Sequence, residues 1–472
     1  MDSEKVQKQP SFAYALTATI LCFGVIMIPA LLWGSKIYPL FLIAWGVALL
    51  MCLPLHIPYA VLQKGMIDGI TKSSVPLLIV LYVGGMAGTW NACGTIPTII
   101  RMGVDMISPQ VFLPMAFIIS SVVAMVSGTS MGTVSTMGIA MSGIAVSLNV
   151  DLAMTGAAVM CGAVLGDMIS PLSDSPNVSS AMCGIDLFRA IKYQAKVAVP
   201  AFFITIVFFA VMGMGYSSNG GNSELIMQVK NIISTNYHDS VLNLLPLIMV
   251  LVLLIVKMPA IPAILSGGVV GAIMTVVVQG KTPAEAITYF WSGYTIDTGL
   301  EFTDKLLNRG GVTSMTAVAV LFISAFGLFG ILTSSGIVDA LTKPLAEHLK
   351  NRTALVGTTV VLSVLGTALS TSMNCSYVIA GGIMGPAFDR NRVDKVALSR
   401  ALSIGCTCMT VFIPWSLVPT LCASSVGTSA AAMIPYCAFA YACVILLIIF
   451  TVVGFDTKFL PAEEEEAEKG LD

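Results

Sequence analysis

The sequence predicts an all-α polytopic membrane protein: two inverted repeats of about five spans each, broken or re-entrant helices, and roughly 11–14 crossings at ~20 residues per span. Three observations predict it. The 472-residue chain is 56% hydrophobic and only 10% charged, with a mean hydropathy of +0.91, outside the range of soluble globular domains. Apolar runs of spanning length recur from Ser11 to Gly454. Two polar, proline-bearing strings, Ile169-Ser170-Pro171-Leu172-Ser173-Asp174-Ser175-Pro176 and Ile413-Pro414-Trp415-Ser416-Leu417-Val418-Pro419, interrupt such runs at matching places. At a displacement of 243 residues Gly162 falls on Gly405, Pro171 on Pro414, Ser173 on Ser416, Pro176 on Pro419 and Gly184 on Gly427. Irregular backbone persists at membrane depth only where protein or a watery cavity covers it. Paired breaks in corresponding halves therefore point to a carrier's binding site.

A short charged arm (Asp2, Glu4, Lys5, Lys8) precedes an apolar run to Trp33, too long for a signal-peptide core and read as an uncleaved first span. Residues 1–74 hold N-terminal spans at 11–34 and 37–55 and a loop. The first repeat, 75–216, carries spans at 75–100, 109–127, 131–148, 152–169 and 195–216. A linker, 217–312, holds two spans at 240–256 and 259–279 between polar loops. The second repeat, 313–454, carries spans at 313–335, 353–373, 374–388, 397–413 and 431–454. Segments 170–184 and 414–430 are too polar or broken to be ordinary spans. The tail, 455–472, with Glu463-Glu464-Glu465-Glu466, reads as a solvated acidic end.

Charge orients the halves. Loops 101–108 and 149–151 hold one basic residue, Arg101. Their counterparts 336–352 and 389–400 hold seven: Lys343, Lys350, Arg352, Arg390, Arg392, Lys395 and Arg400. Basic loops favour the cytoplasmic side, so equivalent loops face opposite sides and the repeats are inverted. Both termini then fall in the cytoplasm.

Acidic residues are nearly absent between the ends of the spans, with Asp167 and Asp174 the exceptions, flanking Ser170 to Ser173. A carboxylate at mid-membrane depth costs ~2.5–3.5 kcal/mol on insertion scales, and a cation or proton offsets that cost. A carboxylate, serine hydroxyls and freed carbonyls suit a hard cation such as sodium. Asp174 is the expected sodium ligand, completed by Ser170, Ser173 and Asn177, with Asp167 tuning the site or relaying protons. The bland alternatives are Asp174 as a helix N-cap and Asp167 at the water interface. Gly128-Thr129-Ser130-Met131-Gly132-Thr133 and Ser370-Thr371-Ser372-Met373-Asn374-Cys375-Ser376 add two further breaks. They offer Thr129, Ser130, Thr133, Ser372 and Asn374 as ligands, or serve only close helix packing. Ser416 and Thr420 complete the facing wall.

Other chemistries are poorly supported. The 11 cysteines lack zinc spacing and read as small hydrophobes. His56, His238 and His348 sit in or beside loops. No Gly-Lys-Ser/Thr follows the glycines, which argues against a phosphate loop. A net charge of −2 without a basic stripe argues against nucleic acid.

A family pattern becomes visible in these strings. Gly88-Thr89-Trp90, Gly94-Thr95-Ile96-Pro97-Thr98, Gly128 to Thr133, Gly166-Asp167-Met168-Ile169-Ser170 through Asn177, and Gly293-Tyr294…Thr298-Gly299…Leu307-Asn308-Arg309-Gly310-Gly311 together resemble the NhaC family of sodium/proton antiporters. That resemblance implies exchange of sodium and protons, or coupling of either to small organic acids such as malate and lactate. It also implies broken helices in inverted repeats, a homodimer, and a site at Asp167, Ser170, Ser173, Asp174 and Asn177. The chain departs from the pattern at Met168, Met131, Ser175 and Pro176. It also lacks carboxylates near Met373–Asn374 and before Gly405, and Leu417 stands opposite Asp174.

The expected function is a secondary antiporter of the bacterial cytoplasmic membrane, not an enzyme, moving Na+ and H+ with no bound cofactor. Its close competitor is a Na+- or H+-coupled exchanger of a small carboxylate or amino acid. An intramembrane aspartyl protease needs Gly-x-Gly-Asp, and Gly162 lies too far from Asp167. A channel lacks its repeated filter here.

Overall fold

The computed structural model describes residues 10–33, 35–106, 108–171, 173–216, 231–238, 240–256, 258–297, 304, 308, 310–342, 344, 349 and 351–455. The N-terminal arm, Leu172, Thr298, Gly299, Leu307, Arg309, Lys343, His348, Lys350 and the acidic tail lie outside the described residues. The helices are α1 (Phe12–Trp33), α2 (Ile37–Cys52), α3 (Tyr59–Lys72), α4 (Ser74–Ala92), α5 (Thr95–Met106), α6 (Pro109–Ser127) and α7 (Ser130–Ser147). Next come α8 (Leu152–Ile169), α9 (Asp174–Cys183), α10 (Leu187–Met214), α11 (Leu245–Ile255), α12 (Ala260–Val277), α13 (Pro283–Ser292), α14 (Thr316–Ser334) and α15 (Ile337–Thr342). The last are α16 (Arg352–Ser370), α17 (Met373–Arg390), α18 (Lys395–Leu402), α19 (Leu417–Val426), α20 (Ala430–Met433) and α21 (Ala438–Val453).

Among the described residues 10 helical stretches are long and apolar enough to cross a membrane, or 11 when the pair around α20 and α21, bent by 55°, counts as one more. The chain is a multi-pass, all-helical membrane protein. The expected span 75–100 divides into α4 and α5 because Gly94 takes a left-handed φ of 85° between them. The expected span at 131–148 is α7, which is almost wholly enclosed by protein. A helix with no lipid-facing side is free to carry hydroxyls, and these bond back along it: Thr133 to the Thr129 carbonyl at 2.9 Å and Ser135 to the Met131 carbonyl at 2.6 Å. Arg400, assigned to a loop from sequence, instead lies inside α18 and is 1% exposed. Its guanidinium sits 6.0 Å from the Phe450 ring and donates to the Phe455 carbonyl at 3.4 Å. One of the seven charges that oriented the second half is therefore a packing group rather than a loop charge.

The bounds of the helices repeat at the displacement read from the motifs. Shifting by 243 carries α6 onto α16, α7 onto α17, α9 onto α19, and α8 onto the stretch Lys395–Phe412, each with coincident ends. The left-handed residues repeat too: Gly128 (67°) with Thr371 (59°), and Gly184 (64°) with Gly427 (83°). Contacts between the copies are reciprocal. Helix α9 packs on α17 and α18, while α19 packs on α7 and α8. Ser179 on α9 donates to the Ser399 carbonyl at 3.2 Å, and at the equivalent place Cys422 on α19 donates to the Gly156 carbonyl at 3.4 Å. Equivalent positions of the two copies thus make equivalent contacts with one another.

Within each copy the packing is close because small residues let backbones approach. Gly162 and Gly166 put α8 against α6, where a Cβ added at Gly166 would fall 2.5 Å from both Ala124 Cβ and Met125 N. The copies differ where α10 is unbroken while its counterpart bends by 55° between α20 and α21, and again at α8. The first runs as unbroken α-helix from Leu152 to Ile169, whereas its counterpart widens to a π turn at Ser403–Cys408 and tightens to a 3₁₀ turn at Met409–Phe412. Tyr377 and Thr407 hydroxyls meet at 2.7 Å against this wide turn. Cys408 Sγ lies 3.3 Å from Met168 Sδ at the end of α8.

Candidate ion-binding site

Helix α8 ends at Ile169 because Ser170 turns extended and Pro171 cannot continue the ladder. The backbone is broken over residues 170–173, and Ser173 caps α9 by accepting from Ser175 N at 3.3 Å. This break sets the first turn of α9 beside the last turn of α8. Asp167, 2% exposed, receives Ser130 Oγ at 2.9 Å and Ser175 Oγ at 3.2 Å on one oxygen, and Ser173 Oγ on the other. Ser130 is supplied by the first turn of α7, so three elements converge on one carboxylate. Among the described residues no basic side chain pairs with it. A buried carboxylate with hydroxyl partners and no counter-ion retains an uncompensated charge.

The other sequence candidates take different places. Asp174 is the exposed first residue of α9, where its charge favours the helix N-terminus, and the cap is Ser173 rather than Asp174. Of Ser170, Ser173 and Asn177, expected around Asp174, Ser173 donates to Asp167 instead. Ser170 Oγ donates to the Met125 carbonyl at 2.6 Å, tying the break to α6. Asn177 Nδ2 donates to the Ser173 carbonyl at 2.6 Å and to the Pro171 carbonyl at 3.2 Å, holding the elbow closed. Thr129 caps α7 through Gly132 N at 3.3 Å, and Thr133 bonds back to Thr129. These four residues shape the site without touching the carboxylate.

In the second copy Ser416 Oγ donates to the Thr410 carbonyl at 2.9 Å and receives Thr410 Oγ1 at 3.0 Å. Thr420 Oγ1 donates to the Pro414 carbonyl at 3.2 Å. Ser372 precedes α17 without a side-chain capping bond. Asn374 Oδ1 and Thr371 Oγ1 are buried with no hydrogen-bond partner among the described residues. No hydrogen bond among the described residues joins Ser372, Asn374, Ser416 or Thr420 to the Asp167 cluster. Sequence reasoning missed Ser175 as a partner of the carboxylate, and missed that Thr410 stands where the first copy has Asp167. The displacement of 243 already implied the second point.

A sequence model of the Na+/H+ antiporter family matches residues 10–194 and 176–455. The chain belongs to that family. The family's curated relatives include the "Malate-2H(+)/Na(+)-lactate antiporter" of Bacillus subtilis (strain 168), 32% identical over 418 residues and covering 89% of each chain. They also include the "Na(+)/H(+) antiporter NhaC" of Alkalihalophilus pseudofirmus, 31% identical over 394 residues, 83% of this chain and 85% of the relative. The NhaC of Bacillus subtilis is 30% identical over 462 residues, 97% of this chain and 100% of the relative. In this antiporter-family chain Asp167, Ser173 and Ser175 come from the Gly166–Asn177 string that carried the family resemblance, and Ser130 from the Gly128–Thr133 string.

Proposed function

We propose that the chain is a secondary antiporter exchanging Na+ for H+ across the bacterial cytoplasmic membrane by alternating access, with Asp167 as the carboxylate the two cations share. The observation that carries this reading is the enclosed Asp167 with three hydroxyls and, among the described residues, no basic partner. A carboxylate and hydroxyl oxygens form a hard donor set suited to sodium. A proton neutralises the same group. The naked carboxylate is costly to carry through the membrane interior, so the loaded site moves and the empty one does not. That asymmetry couples the two ions without a second charged residue, and Thr410 leaves the other elbow neutral.

Reconstituted vesicles with an imposed sodium gradient and an internal pH dye test the reading. Sodium-driven alkalinisation or acidification is expected, and its absence in active, oriented protein rejects sodium–proton exchange. Asp174→Asn is expected to lower that flux about fivefold or less, the size of an exposed helix-terminus charge. A loss as large as that of Asp167→Asn would move the cation to Asp174.

The two repeats are taken as inverted. A membrane-impermeant maleimide added to intact cells is expected to label Asn149→Cys and not Arg392→Cys, two equivalent turn positions at φ of 54° and 51°. Labelling of both from one side would make the copies parallel.

A second reading is favoured by the neutral elbow of the second copy. Asn374 Oδ1 and Thr371 Oγ1 are free to accept from a solute, and one relative is named for malate and lactate. In this reading the Asp167 cation accompanies exchange of a small organic acid or amino acid. Counterflow of labelled malate, lactate and amino acids separates the two: uptake that tracks Asp167 supports solute exchange.

A further inference from the structure

A cavity of about 40 Å³ lies apart from the Asp167 cluster, where the C-terminal ends of α4 and α19 meet α7 and the Gly310 backbone. Its polar lining is Asn91, Ser142, Ser424, Ser425 and Gly310, and the remainder is apolar. The hydroxyl protons of two of these serines are already spent on their own helices: Ser142 donates to the Ile139 carbonyl at 2.9 Å and Ser424 to the Leu421 carbonyl at 2.9 Å. Their lone pairs are what remain for a ligand. Ser425 is 7% exposed, and its Oγ has no hydrogen-bond partner among the described residues. Asn91 is 1% exposed.

Three independent features select a ligand class. Ser142 and Ser424 offer lone pairs and no free proton, which suits a cation or water, and Ser425 Oγ can turn its own lone pairs to the same occupant. Asn91 is the penultimate residue of α4, and Ser424 and Ser425 lie in the last turn of α19. Each helix C-terminus carries roughly half a negative charge, so two such ends add to the attraction for a cation. No Asp or Glu lines the cavity. A neutral oxygen cage offsets the desolvation of a monovalent ion better than that of a divalent one, which usually recruits carboxylates. A cavity needs about 10–15 Å³ of water-centre volume per water, so this one has room for a monatomic ion with about two waters.

We propose that this cavity is a second cation site, for a monovalent ion of sodium size, separate from Asp167. The inference deepens the antiporter reading and rests on it: the cavity holds a further sodium ion beside the one that Asp167 exchanges for a proton. The cavity lies between α4 of the first copy and α19 of the second, so its occupant bridges the copies. Sodium held there stabilises one relative placement of α19.

The test uses the purified full-length protein and its thermal unfolding midpoint in sodium, potassium or choline chloride at constant ionic strength. Sodium is expected to raise the midpoint of the wild type, and still to raise that of Asp167→Asn through this cavity. Ser425→Ala is expected to raise the half-saturating sodium roughly tenfold, the effect of one lost buried ligand oxygen. Ser142→Ala, a mild change inside a helix, is expected to act in the same direction. Wild-type half-saturation in both serine variants overturns the proposal. So does sodium stabilisation that disappears in Asp167→Asn, or that potassium and choline reproduce. In those cases sodium-driven proton flux in vesicles would leave the antiporter reading standing with Asp167 as its ion site. Serine-dependent sodium stabilisation without any sodium-coupled flux would instead keep the cation site and reject the exchange.

Discussion

Asp167→Asn is expected to reduce sodium-driven proton flux roughly 100-fold, corresponding to about 3 kcal/mol for removing one member of a buried charged interaction. The substitution preserves shape: the amide oxygen can still accept from Ser130 and Ser175, while Nδ2 donates to the Ser173 oxygen once that hydroxyl rotates, so the elbow should keep its geometry. What it removes is the charge that a cation or proton neutralises. An asparagine site is neutral in every state, so any residual movement should lose its pH dependence. The decisive measurement is flux across a range of external pH at fixed sodium, with protein amount and folding checked by size-exclusion chromatography. Wild-type flux with an unchanged pH profile would remove Asp167 from transport.

Gly166→Leu is expected to be the most damaging packing change near the site. A Cβ there would press on Ala124 Cβ and Met125 N at 2.5 Å, and on the Ser121 carbonyl at 2.6 Å. Backbone atoms cannot move aside as a flexible side chain does, so α8 must lift from α6. Overpacking of this kind costs about 1–3 kcal/mol or more. Because Asp167 is the next residue, the same displacement pulls the carboxylate from Ser130, which rides on α7. The expected result is a clear fall in the thermal midpoint of detergent-solubilised protein together with loss of flux. Gly166→Ala should show a smaller version of both. An unchanged midpoint in Gly166→Leu would mean that α6 and α8 are not held at backbone contact.

Much of the architecture was legible in the sequence for a simple physical reason. Proline and serine interrupt apolar runs where a helix must end, and the displacement of 243 aligned the two elbows before any coordinates. That same shift carries the ends of α6, α7 and α9 onto those of α16, α17 and α19. What could not be read was which carboxylate is enclosed. Asp167 and Asp174 lie on either side of a helix break, and linear order does not say which of them is enclosed. Ser130 is distant in sequence from Asp167 and meets it only because α7 packs on α8. The split at Gly94 was hidden because apolar residues on both sides mimic one span. The burial of Arg400 was hidden because a lone arginine after a turn resembles a loop charge until Phe450 is seen over it.

The over-wide turn at Ser403–Cys408, followed by an over-tight one, gives the second copy a compliance that the first lacks. Migration of the wide turn by one residue would swivel the side chains it passes by about 100° while leaving both ends of the segment in place. One leaf of the pair is stiff and holds the carboxylate; the other yields. Under the proposed alternating access, inward- and outward-open forms of such a lopsided machine would not share one resting free energy, and a ligand would meet them in unequal numbers. Half-saturating sodium is therefore expected to differ between the two faces of the bilayer, even with identical solutions on both sides.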